Sequence, residues 1–228
     1  MELAERLADV DARIADAARS AGRDPSELTR IVVTKFHPAS LVTRLHTLGV
    51  RDVGENRQQE LTAKRADPTV PVDLTWHFIG QAQTNKARAI RAAASVVHSV
   101  DRERLADALH AADPDAPVAL DVLLQVNLTD DPGRGGVPPA EIASLAEHVA
   151  GRCPSLRVRG VMAVAPLATA PAEAFTRLAA SAEAIRTVVP DAAWISAGMS
   201  GDFAEAIAAG ATHLRIGTAI TGPRAVPG

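Results

Sequence analysis

The chain has 228 residues, of which 47% are hydrophobic and 22% are charged, with a formal net charge of -3. This is the composition of a soluble globular protein with a sizeable core, and the lack of any Lys/Arg-rich run excludes the concentrated positive charge on which nucleic-acid and membrane-surface binding rely. The single cysteine, Cys153, excludes an internal disulfide and a cysteine-rich zinc site, so no metal is expected.

The first predicted element is an opening helix over residues 1–22. Its apolar residues recur at helical spacing and form one stripe, and Gly22 follows as a C-terminal stop: Leu3, Leu7, Val10, Ile14 and Ala18. The stripe fits a helix that covers one end of the fold and equally one that contributes to a dimer, so monomer and weak dimer both stay open. The mixed charges of this segment are not those of a signal peptide, and the lone cysteine fits a reducing, cytoplasmic location.

Eight short β-branched runs then alternate with amphipathic segments of helix length, and this alternation predicts parallel strands. The predicted strands are 31–34, 52–54, 76–79, 96–99, 118–126, 158–163, 194–196 and 213–216. Seven helices join them and one precedes them, which is the count of a (β/α)8 TIM barrel. An open doubly wound sheet is the alternative, but no G-x-G-x-x-G follows the first strand.

Lys35 is the first candidate functional residue, because it stands at the carboxyl end of the first predicted strand. Reactive groups of such barrels come from the carboxyl ends of strands. Only Lys64 and Lys86 are also lysines. Lysine, unlike arginine, can lose its proton and then form a Schiff base with a carbonyl compound. A lysine that simply extends its amine into solvent is the alternative.

The second candidate is the turn between the seventh strand and the next helix, with Ser196, Gly198, Ser200 and Gly201. Small residues there let backbone N–H groups face an anion, and the start of a helix adds a favourable partial charge. The pattern therefore fits a phosphate site. An ordinary turn capped by Ser200 or Asp202 is the alternative.

The third candidate is Arg215 in the eighth strand, followed by Gly217 and Thr218. A guanidinium in a core-lining strand needs a partner, because burying an unpaired charge is costly. Two interpretations stay open. One is a structural ion pair, for instance with Glu55, and the other is a ligand whose ring faces Arg215 while Gly217, Thr218 and the Ser200 turn hold its phosphate.

Pyridoxal 5'-phosphate (PLP), a phosphorylated pyridine aldehyde, fits this combination of lysine, arginine and phosphate turn. Six motifs resemble those of the pyridoxal phosphate homeostasis protein family, in the same order: VVTKFHP, GENRQQE, WHFIGQAQTNK, HSVDR, VRGVMAVAP and GMSGDFAEAIAAGATHLRIGTAI. They extend from the first strand to near the end of the chain, which is far more specific than any one motif.

The resemblance implies a single PLP-binding domain over 1–228, a fold type III barrel like the amino-terminal domain of alanine racemase. It implies PLP as a Schiff base on Lys35, with the ring nitrogen facing Arg215. The other residues expected at the site are Asn56, His77, Ser196, Met199, Ser200, Gly217 and Thr218. The implied role is PLP storage or delivery inside the cell, with PLP-dependent apo-enzymes as recipients.

Catalytic turnover is not expected, so no residue is assigned a catalytic role. The alanine racemase mechanism uses a lysine and a tyrosine as bases, together with a second domain. This sequence has no tyrosine and no residues left for such a domain. Alternatives are a racemase-like PLP enzyme with His77 or His98 as the second base, a cofactor-free Schiff-base aldolase, and a scaffold with an incidental lysine.

Overall fold

The computed structural model describes residues 2–129, 131 and 133–223, and its strands close into one parallel barrel. Each strand pairs with the next along the chain, and the first also pairs with the eighth. The predicted (β/α)8 fold is confirmed. The alternative of an open sheet is wrong, because the pairing of Val32 with Ile216 leaves no free edge.

The eight strands are β1 (Thr29–Val33), β2 (Asp52–Glu55), β3 (Thr75–Phe78), β4 (Val96–Val100), β5 (Leu120–Gln125), β6 (Leu156–Met162), β7 (Trp194–Ser196) and β8 (His213–Ile216). All eight predicted strands are present, and the two last have the predicted bounds. Most of their residues are buried, as expected of strands that pack against a filled interior on one face and against helices on the other.

The helices are α1 (Leu3–Ser20), α2 (Ala39–Thr47), α3 (Gln58–Ala66), α4 (Ala87–Ala93), α5 (Glu103–Ala111), α6 (Ile142–Arg152), α7 (Pro171–Arg186), α8 (Phe203–Ala208) and α9 (Thr218–Thr221). Seven of them connect successive strands, as predicted. The sequence did not predict α9, because four residues between glycines are too few to show a helical period.

The opening helix α1 packs on the outside of the barrel against α8 and α9. Its five stripe residues are all buried. Arg6 donates its Nε to the carbonyl of Ile220 at 2.7 Å, and the Arg13 guanidinium lies 5.3 Å from the ring centroid of Phe203. The apolar stripe is therefore covered by the chain itself. Among the described residues, no helix has the length and hydropathy needed to cross a bilayer.

Candidate functional site

Lys35 lies two residues beyond the end of β1, at the mouth formed by the carboxyl ends of the strands. The hydrogen bond from the Thr34 amide to the carbonyl of Gly54, at 3.0 Å, extends the β1–β2 pairing by one residue. Lys35 then begins a turn and is half-buried. The described part of the chain offers its amine no hydrogen bond or ion pair, so the amine is available to a ligand.

The turn after Lys35 is held in a conformation that few residues adopt. Phe36 has φ of +66°, the one positive value outside glycine among the described residues, and this left-handed conformation costs roughly 1–2 kcal/mol. The Phe36 amide donates to Glu60 Oε2 at 2.8 Å, and the Arg57 guanidinium lies 5.3 Å from the Phe36 ring centroid. These contacts hold the chain direction at Lys35.

A buried ion pair between α3 and β2 stabilises the end of β1. Lys64 of α3, 6% exposed, donates to Glu55 Oε1 at 2.6 Å and to the carbonyl of Thr34 at 2.8 Å. The hydroxyl of Thr34 donates to the same Glu55 oxygen at 2.6 Å. Burial raises the pKa of Glu55, and Lys64 opposes that effect. The residue directly before Lys35 is thus fixed through both its hydroxyl and its carbonyl.

Arg215 is buried inside the barrel with its guanidinium directed across β7. Nη1 donates to Ser196 Oγ at 2.7 Å, and Nη2 donates to the carbonyl of Ala163 at 2.8 Å. Burial lowers the pKa of Arg215 to about 10, opposed by the charge of Asp202, so the group stays protonated at neutral pH. The suggested ion pair with Glu55 is wrong, because Glu55 bonds Lys64 instead and Arg215 has neutral partners.

A hydrogen-bonded chain continues from Arg215 through the barrel interior. His98 Nδ1 lies 2.9 Å from Ser196 Oγ, and His98 Nε2 lies 2.9 Å from His77 Nδ1. His77 Nε2 lies 3.0 Å from Asp52 Oδ1 at the start of β2. His77 was expected at the mouth, but it lies within the barrel and reaches Arg215 only through His98 and Ser196.

The two end groups of this hydrogen-bonded row, Arg215 and Asp52, determine which atoms of the row carry the protons. Arg215 can only donate, so the Ser196 hydroxyl is free to donate to His98 Nδ1. His98 then donates from Nε2 to His77, and His77 donates from Nε2 to the Asp52 carboxylate. Every group in the row then has a hydrogen-bond partner. Sequence reasoning missed Asp52 in this row, because only the register of β2 and β3 brings it beside His77.

Asn56 stands at the end of β2, next to the Lys35 turn, with a buried side-chain oxygen that lacks a partner. Its Oδ1 makes no hydrogen bond within the described chain. A buried polar atom of this kind is rare unless a ligand or water completes it. The acceptor at the mouth can therefore be completed by a polar ligand or by a water.

The turn after β7 and the start of α9 present backbone N–H groups at the mouth. The amides of Ser200 and Gly201 take no part in the hydrogen bonds of the described chain. Met199 is fixed through its amide, which donates to Asp202 Oδ1 at 2.6 Å. Asp202 makes no side-chain bond to the amides of α8, so it stabilises the turn, as in the alternative of an ordinary capped turn, and does not cap the helix.

Gly217 and Thr218 lie beside the strand that leads to Lys35. A Cβ added to Gly217 would lie 3.6 Å from Val33 Cβ, and Thr218 is exposed at the first position of α9. The amides of a first helical turn have no acceptor within the helix. The lysine turn and the start of α9 are therefore neighbours at the β1–β8 seam, and the Ser200 turn follows the next strand of the barrel, β7.

Two buried histidines predict that the protein loses stability in mild acid. Burial holds the pKa of His98 well below its usual range and lowers the pKa of His213, which packs on Trp194, to about 3. Between pH 6.5 and 3 the unfolded chain therefore binds more protons than the folded one. The free energy of unfolding should fall by about 1.4 kcal/mol per pH unit for each such histidine.

Urea unfolding followed by circular dichroism between pH 7.5 and 5 measures this dependence. His213→Gln should reduce the slope of the unfolding free energy below pH 6.5 by about 1 kcal/mol per pH unit. His46→Gln, at a histidine of the surface bonded to Asp73, is the matched control. Identical slopes for His213→Gln and the unaltered protein would contradict the prediction.

Comparisons with known proteins identify the family and agree with the barrel fold. The family model described as alanine racemase, N-terminal domain, matches residues 7–225. The pyridoxal phosphate homeostasis protein of Pseudomonas aeruginosa is 42% identical over 225 residues, which cover 97% of this chain and 96% of that protein.

Two solved structures extend the comparison. PipY of Synechococcus elongatus, with PLP bound, is 34% identical with a TM-score of 0.83, covering 97% of this chain and 100% of that chain. An alanine racemase of Corynebacterium glutamicum has a TM-score of 0.69 at 16% identity and covers 96% of this chain and 62% of that one. This last likeness shows the shared barrel fold alone.

Proposed function

Because this chain belongs to the family of pyridoxal phosphate homeostasis proteins, built on the alanine racemase N-terminal domain, we propose that it binds PLP through Lys35 and acts in PLP homeostasis. It stores or delivers the cofactor with little or no turnover. The observation that carries the proposal is the buried Arg215 guanidinium, held toward the mouth in the strand next to the one that leads to Lys35.

Lys35 is the proposed attachment point. When bound, PLP supplies an aldehyde that condenses with a primary amine, and a pyridine ring that can accept electron density. Lys35 is half-buried and has no competing partner in the described chain, whereas the Lys64 amine is fully used by Glu55 and Thr34.

Arg215 orients the ring and limits its chemistry. Its guanidinium bonds Ser196 and Ala163, which leaves N–H donors for a ring nitrogen. Since the guanidinium stays protonated at neutral pH, it can donate to that nitrogen but accepts no proton from it. The ring then remains uncharged and is a weak electron sink, which favours holding the cofactor over carbanion chemistry.

The phosphate is proposed to lie against Ser200, Gly217 and Thr218. Backbone amides of the Ser200 turn and of the start of α9 are free to donate, and such amide clusters suit anions. Asn56, with its unpartnered Oδ1, is proposed to complete the polar rim of the site. Met199, in the turn with Ser200, is proposed to contact the ligand.

A racemase-like activity lacks support in the arrangement of possible bases. The sequence has no tyrosine, and the histidines weighed as a second base are both buried. His77 is bonded to Asp52 and His98, and the pKa of His98 lies well below its usual range because of burial. A histidine enclosed in this way cannot take a proton from a substrate at the mouth.

Amino-acid exchange experiments test the absence of turnover. PLP-loaded protein is incubated with L-alanine in D2O, and loss of the α-proton signal is followed by NMR against free PLP and Lys35→Ala. We expect no exchange beyond the rate with free PLP. Exchange at least about 100-fold faster, lost in Lys35→Ala, would correspond to roughly 2.7 kcal/mol of catalysis and would overturn the carrier function.

We further propose that the chain works as a single domain in the cytoplasm, as a monomer or weak dimer, and passes PLP to apo-enzymes. One closed barrel containing all the strands supports a single domain. The covered apolar stripe of α1 supports a weak self-association at most.

Delivery is tested by mixing PLP-loaded protein with a PLP-dependent apo-enzyme and measuring the activity that the apo-enzyme recovers. Recovery no faster than PLP dissociates into buffer would exclude direct transfer.

A further inference from the structure

Three potential metal ligands of different chemistry meet on the outer helical layer, away from the barrel mouth. Asp107 lies on α5, His148 lies on α6, and Cys153 ends α6. One ligand atom from each lies within 4.8 Å of the other two. Helices of this fold run antiparallel to the strands, so the end of α6 is on the side of the barrel opposite the carboxyl ends where Lys35 lies.

We propose that Asp107, His148 and Cys153 form a binding site for Zn²⁺ or a similar thiophilic divalent cation. A carboxylate, an imidazole and a thiolate are the three ligand types that zinc takes in proteins. The proposal uses none of the residues of the PLP site, so it stands or falls separately from the proposed function.

The sulfur–oxygen distance fits a tetrahedral site, and the nitrogen–oxygen distance is shorter than such a site requires. Cys153 Sγ lies 3.6 Å from Asp107 Oδ1, and a tetrahedral zinc ion with ordinary bond lengths requires about 3.5 Å between sulfur and oxygen. His148 Nε2 lies 2.7 Å from the same oxygen, whereas zinc requires about 3.3 Å between nitrogen and oxygen. The Asp107 side chain is 56% exposed, so it can move by the remaining half ångström.

The other nitrogen of His148 faces a carboxylate, as the far nitrogen of a metal-binding histidine often does. His148 Nδ1 lies 3.5 Å from Glu103 Oε2, one helical turn before Asp107. A carboxylate on the far nitrogen fixes the ring and keeps the near nitrogen as the ligand. Glu103 is thus assigned as a positioning residue, and water from the exposed side supplies the fourth ligand.

Charge at the cluster favours a cation once the thiol ionises. The carboxylates of Glu103 and Asp107 together with a thiolate outweigh the nearby charge of Arg152. As the sulfur–metal bond forms, the thiol proton leaves to solvent, so about one proton should be released per bound ion.

Cobalt titration of the reduced, full-length chain without added PLP tests the site. Co²⁺ should bind with a stoichiometry of about one and give visible d–d bands together with a near-ultraviolet thiolate charge-transfer band, both displaced by Zn²⁺. Asp107→Asn, at an exposed position, should weaken Zn²⁺ binding at least about 100-fold, and Glu103→Gln about 10-fold. Cys153→Ser should remove the charge-transfer band.

His46→Ala is the matched control, because His46 Nε2 and Asp73 Oδ1 form a surface pair at 2.8 Å with no cysteine in the cluster. It should leave Co²⁺ binding unchanged. Absence of the charge-transfer band in the unaltered protein would overturn the proposal, and so would binding that is unchanged in Asp107→Asn. Retention of the band in Cys153→Ser would exclude the proposed sulfur ligand.

Discussion

Replacement of Lys35 by alanine is expected to abolish covalent attachment of PLP and to weaken its binding at least about 100-fold, or roughly 2.7 kcal/mol. The covalent bond to the amine is lost, and only contacts to the phosphate and the ring remain. Because Lys35 is half-buried and bonds no other described residue, the free energy of unfolding should change by no more than about 0.5 kcal/mol.

Absorbance titration with PLP, followed by borohydride reduction and mass measurement, compares Lys35→Ala with the unaltered protein. Lys86→Ala is the matched control, since Lys86 is likewise half-buried and lies at the start of α4. It should bind and retain PLP normally. Tight, reducible PLP binding by Lys35→Ala would show that another amine is the attachment point.

Replacement of Lys64 by methionine is expected to cost about 3–5 kcal/mol of unfolding free energy. Glu55 is completely buried, and one of its oxygens already has no partner in the described chain. Removing the ammonium leaves the carboxyl with the Thr34 hydroxyl alone. Loss of the bond from Lys64 to the Thr34 carbonyl also loosens the end of β1, so PLP affinity should fall as well.

The double variant Lys64→Met with Glu55→Gln separates the lost charge partner from the altered shape. A neutral amide can stay buried at lower cost than an unpaired carboxylate, so the double variant should recover most of the loss. Urea unfolding measures the free energy of unfolding of the single and the double variant. A loss below about 1 kcal/mol in Lys64→Met, or no recovery in the double variant, would contradict a stabilising role for this buried pair.

The barrel was predictable because its strands and helices differ in local period. Short strands of three to nine predicted residues, separated by amphipathic helices, have one arrangement that fits eight repeats. Lys35 was recognisable for a similar reason, since its position at the end of an apolar run is a local property. Helix α9 was not, because its four residues carry no period.

Contacts across the barrel could not be read from local sequence. A buried charge needs a partner, so the sequence predicts that Arg215 has one. Which partner it takes depends on packing across β7, where Ser196 and the Ala163 carbonyl lie in reach and Glu55 does not bond it. The row from Asp52 through His77 and His98 depends in the same way on strand register. Cys153 and Asp107, 46 positions apart, are neighbours only because α5 packs on α6.

The most direct test of the account is peptide mapping of the unaltered protein after PLP loading and borohydride reduction, with the absorption spectrum recorded first. We expect a visible band that disappears on reduction and a pyridoxyl adduct on Lys35 alone. No band after added PLP, or an adduct confined to Lys64 or Lys86, would contradict the assignment of Lys35 and with it the proposed function.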